Sequence, residues 1–119
     1  MAEKSFLYLL PQTCTAKQLA EALPFLKKEA VQVWTEVNIL GVELANGQLL
    51  LEDMAEQLLG EEDEKLLSEL SMKQVYACDY EEEDAAEVKK IFQSLQDTFG
   101  GILASDTEDF KPFFKPEEL

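Results

Sequence analysis

The chain contains no histidine and no arginine, so all ten of its cationic side chains are lysine. Without histidine, neither a Ser-His-Asp triad nor a Cys-His pair can form, and no histidine can ligate a metal ion. Without arginine, no guanidinium can hold a carboxylate or phosphate through two parallel hydrogen bonds. The sequence also lacks the GxGxxG, GxxxxGKS/T and CxxC patterns. These absences exclude the commonest catalytic sites, and we expect a protein that is not an enzyme.

Cysteine is scarce as well. The two cysteines, Cys14 and Cys78, are far apart and show no metal-ligand spacing, which predicts reduced, buried thiols. Burial and the neighbouring Asp79 should raise the pKa of Cys78, whereas Cys14 precedes a predicted helix and is the better candidate for a lowered pKa. No apolar run approaches the roughly 18 residues that span a membrane, and residues 1–4 lack the features of a signal peptide. We therefore expect a cytoplasmic protein.

Acidic residues are abundant and unevenly placed, with a formal net charge of −15 for the whole chain. Residues 1–50 hold five acids and four lysines, whereas residues 51–90 hold fourteen acids and four lysines. This balance argues against nucleic acid and anionic membranes as partners, because phosphate contacts require cations. It favours a basic protein partner, a bound cation, or simply solubility. The acidic block at residues 52–87 is therefore either an interaction surface or a solvated surface.

The clearest element pattern lies in the last third of the chain. Residues 75–78 and 102–104 are short apolar runs, as expected for strands buried on both faces. Asp84 with Glu87 predicts a capped helix start between them, and the glycines at 100–101 predict the helix end. One face of this helix is apolar: Val88, Ile91, Phe92, Leu95 and Phe99. A strand, helix and strand joined this closely predict a right-handed crossover with parallel strands.

The first half of the chain predicts a strand, a helix and a second strand. Residues 5–10 are apolar and end at a proline, which predicts a central strand buried on both faces. Thr15 and Gln18 form a capping-box signature for a helix that Pro24 interrupts. Residues 31–40 alternate apolar and polar side chains, which predicts one strand with a wet face.

A hairpin follows. Gly41 predicts a bulge or bend, and Asn46-Gly47 is the preferred pair for a two-residue type I′ turn. This turn would place Leu44 opposite Leu49 and gather apolar side chains on one face.

The remaining segments complete the element order. Acidic residues 61–64 predict the start of a short helix, and an aromatic tail at residues 107–119 should dock partly and then fray. Without the short helix and one hairpin arm, the order is the β-α-β-β-α-β of ferredoxin-like folds. The sequence thus predicts one α+β domain over residues 1–119. We expect a two-layer sandwich of four or five mostly antiparallel strands, an extra short helical segment, and two main helices on one face.

Carboxylates at the ends of the two crossover strands form a candidate metal site. Asp79 ends the first strand, Asp106 ends the second, and Glu108 follows it. If the strands are parallel, these carboxylates lie at one edge of the sheet, where Mg²⁺, Mn²⁺ or Ca²⁺ could bind. The other interpretation is that they are turn residues and bind no ion.

The leading hypothesis is a non-enzymatic interaction protein that binds a basic protein partner through the acidic block. The alternative is a divalent-metal-binding protein, with or without hydrolytic activity. An exposed Trp34 near the hairpin would indicate an interface. Unpaired hairpin edges could instead join two copies into a homodimer. Phe110, Phe113 and Phe114 either cover the core or anchor a partner.

Overall fold

The computed structural model describes residues 3–54, 61–105 and 112–119. Its helices are α1 (Ala16–Glu21), α2 (Glu61–Glu69) and α3 (Ala85–Phe99), with short 3-10 turns at Lys28–Ala30, Glu82–Asp84 and Pro116–Glu118. Its strands are β1 (Glu3–Leu10), β2 (Val31–Trp34), β3 (Ile39–Glu43), β4 (Gln48–Asp53), β5 (Gln74–Glu81), β6 (Ile102–Ala104) and β7 (Phe113–Phe114).

The strands form one seven-stranded sheet in the order β2-β3-β4-β5-β1-β6-β7. Every neighbouring pair is antiparallel. β5 and β6 both pair with β1, so they run in the same direction with β1 between them. The prediction of a two-layer ferredoxin-like sandwich is wrong, because the sheet has seven strands and helices lie on both of its faces. The sequence reasoning missed one strand in the first half and β7 at the end.

Two apolar clusters cover the two sides of β1. Phe6, Tyr8 and Leu10 point toward the larger cluster, which includes the apolar faces of α1 and α3. Leu7 and Leu9 point the other way and pack with Leu67 of α2. All five residues are buried, which confirms the prediction of a strand enclosed on both faces. α2 therefore makes a third layer over part of the sheet.

The alternating segment at residues 31–40 is two strands and not one. β2 ends at Trp34 and β3 begins at Ile39, with a turn between them. Asn38 closes the turn with φ of 54°, a left-handed conformation that asparagine tolerates better than most residues. Val37, inside the turn, is apolar but exposed, so the alternation continues through the turn and could not reveal it. Gly41 pairs in continuous register with Gln32, and the predicted bulge is absent there.

The β3–β4 hairpin has a longer loop than predicted. Val42 pairs with Leu49 and Glu43 with Gln48, and the Leu44 N–H donates to the Gly47 carbonyl. The predicted two-residue type I′ turn is therefore wrong. The predicted register of the hairpin is wrong by two residues along one strand. A two-residue shift leaves every side chain on its original face, so the apolar face survived the error.

Most helix ends lie where the capping residues and glycines of the sequence predict them. Thr15 and Gln18 form the predicted capping box of α1, which ends at Glu21, before Pro24. α3 buries the predicted apolar face and ends at Gly100, whose φ of 74° is positive as expected.

The end of α2 carries a Schellman motif. Met72 N–H donates to the Leu67 carbonyl and Ser71 N–H donates to the Ser68 carbonyl. Ser71 has φ of 59°, at a position where glycine is usual. The apolar contact typical of this motif is present, since Met72 and Leu67 pack in the same cluster.

The described part of the aromatic tail adds β7 and returns to the core. Phe113 and Phe114 pair with β6, and the Phe114 ring packs edge-on against Phe6 at 5.7 Å between centroids. Pro116 is buried and Leu119 packs against the larger cluster. The predicted docking of the tail is therefore present in residues 112–119, and its fraying stays a prediction. Phe110 lies outside the described residues.

Candidate functional site

Among the described residues, α2 covers only part of the sheet surface that faces away from α1 and α3. The pairing of the strands places alternate residues of β2 to β5 on the part of this sheet surface that α2 does not cover. We call this surface the open face, and its residues are Gln32, Trp34, Ile39, Gly41, Glu43, Gln48, Leu50, Glu52, Asp79 and Glu81. Four of these ten residues carry carboxylates, and none is a lysine. The open face is therefore strongly negative at neutral pH.

Trp34 is the largest exposed side chain of the open face. It is 42% exposed, although its ring lies over the backbone of β3. A Cβ atom at Gly41 would stand 2.8 Å from the Trp34 ring and 2.8 Å from the Gln48 amide nitrogen. The missing side chain of Gly41 thus leaves the space that the ring occupies. The sequence did contain this signal, because a glycine inside a strand indicates either a bulge or a close approach.

The carboxylates of the open face stand in ordered positions. Asp79 Oδ1 accepts a hydrogen bond from the Ser5 hydroxyl at 2.6 Å. The Glu81 side chain lies against Gly47, where a Cβ would clash with it. Its Oε2 atom is buried and has no hydrogen-bond partner among the described residues. An unsatisfied buried oxygen is costly, because it has lost its hydrogen bonds to water without replacing them.

The acidic block of the sequence is not one surface. Asp84 is only 2% exposed and does not cap α3 through its side chain, so the predicted cap is wrong. Its carboxylate instead accepts hydrogen bonds from the backbone N–H of Asn46, at 3.1 Å, and from the Asn46 amide group, at 2.9 Å. Asp84 therefore fixes the β3–β4 loop to the start of α3 and is not available to a partner.

The structure describes one of the three predicted metal ligands. Asp79 lies on the open face, while Asp106 and Glu108 lie outside the described residues. β1 separates β5 from β6, so the two strands that carry the prediction are about 10 Å apart. Within residues 3–54, 61–105 and 112–119, no group of three or more Cys, Asp and Glu residues could hold a metal ion. The metal site stays a prediction.

A second polar cluster joins the β2–β3 turn to the core. The Asn38 amide group donates to Asp53 Oδ2 at 2.7 Å and to the Tyr76 hydroxyl at 3.0 Å. Its carbonyl oxygen accepts from Ala16 N–H at 2.7 Å. Gln74 Oε1 accepts from the Cys14 backbone N–H at 2.6 Å. These bonds fix the start of α1 against the sheet, and we assign them a structural role.

Both cysteines are free and buried. Burial raises the pKa of the Cys14 thiol, so the expectation of a lowered value is wrong. Burial, and then the Asp79 carboxylate, raise the pKa of the Cys78 thiol well above its usual range, as predicted. Thiols with raised pKa carry little thiolate at neutral pH and are poor nucleophiles. Burial also raises the pKa of Tyr8 and of Tyr76.

The chain has no match among protein-family models, curated proteins or solved structures. None of the helices in the described part of the chain is long and apolar enough to cross a membrane.

Proposed function

We propose that this chain is a non-enzymatic cytoplasmic interaction protein that binds a basic protein partner through its open face. The observation that carries this proposal is an exposed Trp34 ring on a surface with four carboxylates and no lysine. The net charge of −15 supports the same class of partner.

Trp34 and the carboxylates would attract the cations of a basic partner over different distances. A lysine or arginine within about 6 Å of the indole ring gains a cation–π attraction of roughly 0.5–1 kcal/mol at an exposed site. The carboxylates of Glu43, Asp79 and Glu81 attract the same cations over a longer range and raise the association rate. Leu50 lies on the same cross-strand row as Asp79 and is partly exposed, so it offers an apolar contact beside the charges.

The cytoplasmic assignment rests on the cysteines. Cys14 and Cys78 are both unpaired, as expected in a compartment that keeps thiols reduced. Proteins of oxidising compartments more often pair their cysteines in disulfides.

The proposal is tested by reversing one charge on the open face and one elsewhere. Glu43 and Glu87 are both exposed, but Glu43 lies on the open face and Glu87 lies on α3. Glu43→Lys and Glu87→Lys change the net charge equally. The probe is a fluorescein-labelled ten-residue peptide of alternating lysine and valine, with binding followed by anisotropy at about 0.15 M salt.

We expect Glu43→Lys to weaken binding of this peptide about fivefold or more, which corresponds to about 1 kcal/mol. Trp34→Ala should weaken it about two- to fivefold, because it removes only the cation–π attraction. Glu87→Lys should weaken it less than about twofold. A glutamate–valine peptide of the same length should not bind. Equal losses for the two charge reversals would show that only net charge matters, and the proposed surface would then be wrong.

A further inference from the structure

β2 is an outer strand of the sheet, because it pairs with β3 on one side and with no described strand on the other. Outer strands usually carry a lysine, a proline or a bulge that prevents another strand from pairing with them. β2 reads Val-Gln-Val-Trp and contains none of these. Its pairing with β3 is regular over all four residues. The edge is therefore open to strand addition.

The hydrogen bonds of β3 show which backbone groups of β2 point outward. The Asn38 carbonyl accepts from Asp53 N–H, and Leu44 N–H donates to the Gly47 carbonyl. Because bonding alternates along an antiparallel pair, the even-numbered residues of β3 face β4 and the odd-numbered residues face β2.

It follows that Gln32 and Trp34, which oppose odd-numbered residues of β3, hydrogen-bond to β3. Val31 and Val33 then direct their backbone groups away from the sheet. The Val31 N–H is used by the Lys28 carbonyl. The Val31 carbonyl and both backbone groups of Val33 have no hydrogen-bond partner among the described residues. Within the described part of the chain, one backbone donor and two acceptors at this edge therefore have no partner.

An added strand would place its side chains in two environments. Alternate residues would lie beside Gln32 and Trp34 on the open face, and the others would lie beside Val31 and Val33. Val31 and Val33 pack against the larger apolar cluster, so apolar side chains would extend the core there. Cations would suit the first set of positions, because the open face is negative and Trp34 is exposed.

We propose that the basic partner binds as an extended segment that adds to β2 as an eighth strand, with lysine or arginine alternating with apolar residues. This inference rests on the proposed function and specifies how the partner is held. A second copy of this chain is the less favoured occupant, because each chain carries a net charge of −15.

The test compares the lysine–valine peptide with the same peptide N-methylated at alternate residues on one edge. Methylation removes backbone donors and blocks one edge without changing charge, so binding should weaken at least about tenfold if a strand is added. On the protein side, Val33→Pro removes the outward N–H and leaves the bonds to β3 in place. Val33→Ala is its control, because it also removes the valine side chain's packing but keeps the N–H. We expect Val33→Pro to weaken binding at least about fivefold more than Val33→Ala.

The outcomes separate this inference from the proposed function. If the peptide binds and neither N-methylation nor Val33→Pro weakens it, strand addition is wrong while the acidic surface stands. Failure of the unmodified peptide to bind would reject both proposals. Sedimentation of the free chain checks the other occupant: a dimer that Val33→Pro dissociates, with no effect on peptide affinity, would show that β2 pairs with a second copy and would also overturn the inference.

Discussion

Asn38 should be one of the most sensitive polar positions in the chain, although it is a turn residue. Its side chain makes three hydrogen bonds, to Ala16 N–H, Asp53 Oδ2 and the Tyr76 hydroxyl, at 2.7, 2.7 and 3.0 Å. Its φ of 54° is a conformation that costs most residues about 1 kcal/mol more than asparagine. Asn38→Ala would remove all three bonds and add the backbone strain.

The expected loss can be estimated from these two contributions. A buried or part-buried hydrogen bond contributes about 1 kcal/mol net, so the three bonds of Asn38 contribute about 3 kcal/mol. The strain of a non-glycine residue at positive φ adds about 1 kcal/mol, which gives a total near 4 kcal/mol for Asn38→Ala. Asn38→Gly loses the same bonds without the strain, and its loss should be about 1 kcal/mol smaller. Since a domain of this size has a stability of about 5–15 kcal/mol, the difference is large.

Urea unfolding followed by far-UV circular dichroism measures both variants against the parent chain. We expect lower midpoints with unchanged slopes, because the denatured state exposes the same surface in each case. A loss below about 1 kcal/mol for Asn38→Ala would show that water replaces the three bonds without penalty, and the reasoning would then be wrong. Equal losses for the alanine and glycine variants would reject the contribution of the backbone conformation.

Three further predictions concern a helix end, alkaline pH and metal ions. Ser71→Gly should stabilise the chain by about 0.5–1 kcal/mol because Ser71 has positive φ; Ser68→Gly, inside α2, should destabilise it by a similar amount in the same urea assay. Since burial raises the pKa of Cys14 and Cys78, the unfolded chain loses these protons first. The free energy of unfolding should therefore stay constant up to about pH 8.5 and then fall by up to about 1.4 kcal/mol per pH unit for each thiol. A free energy of unfolding that rises above pH 9 would contradict the raised pKa of these thiols. A metal ion bound at Asp79, Asp106 and Glu108 at 100 times its dissociation constant should add about 2.7 kcal/mol of stability. Thermal melting with Mg²⁺, Mn²⁺ or Ca²⁺ against chelator would show this as a rise in melting temperature that Asp79→Asn abolishes. A rise in melting temperature that plain salt reproduces would count against the site.

Local patterns in the sequence were sufficient for several elements. The apolar run of β1, the spacing on α3 and the Thr15–Gln18 capping box were all confirmed. Each is visible in the order of side chains over a short stretch of the chain, so it could be recognised without knowing which distant segments pack there. The raised pKa of Cys78 was also predictable, because its strand was recognised as buried.

Long-range contacts decided what the sequence could not. The loop at Asn46 follows its hydrogen bonds to Asp84, which is 38 residues away, and not the turn preference of its own Asn-Gly pair. β7 exists because it pairs with β6, and two phenylalanines alone carry no strand signal. α2 lies on the face opposite α1 and α3 because Leu67 packs with Leu7 and Leu9. The position of α2 on that face is why the prediction of a two-layer fold is wrong.

The open face also depends partly on the sequence and partly on the tertiary structure. The sequence determined the amount of negative charge and the presence of a glycine inside a strand next to the tryptophan strand. Only pairing of the strands brought Trp34, Glu43 and Asp79 onto one surface. Only side-chain alternation and packing separated the members of the acidic run, with Glu81 partly exposed on the open face and Asp84 buried. Charge is a property of composition, but which charges share a surface depends on register, and register is fixed by contacts between segments that are distant in the chain.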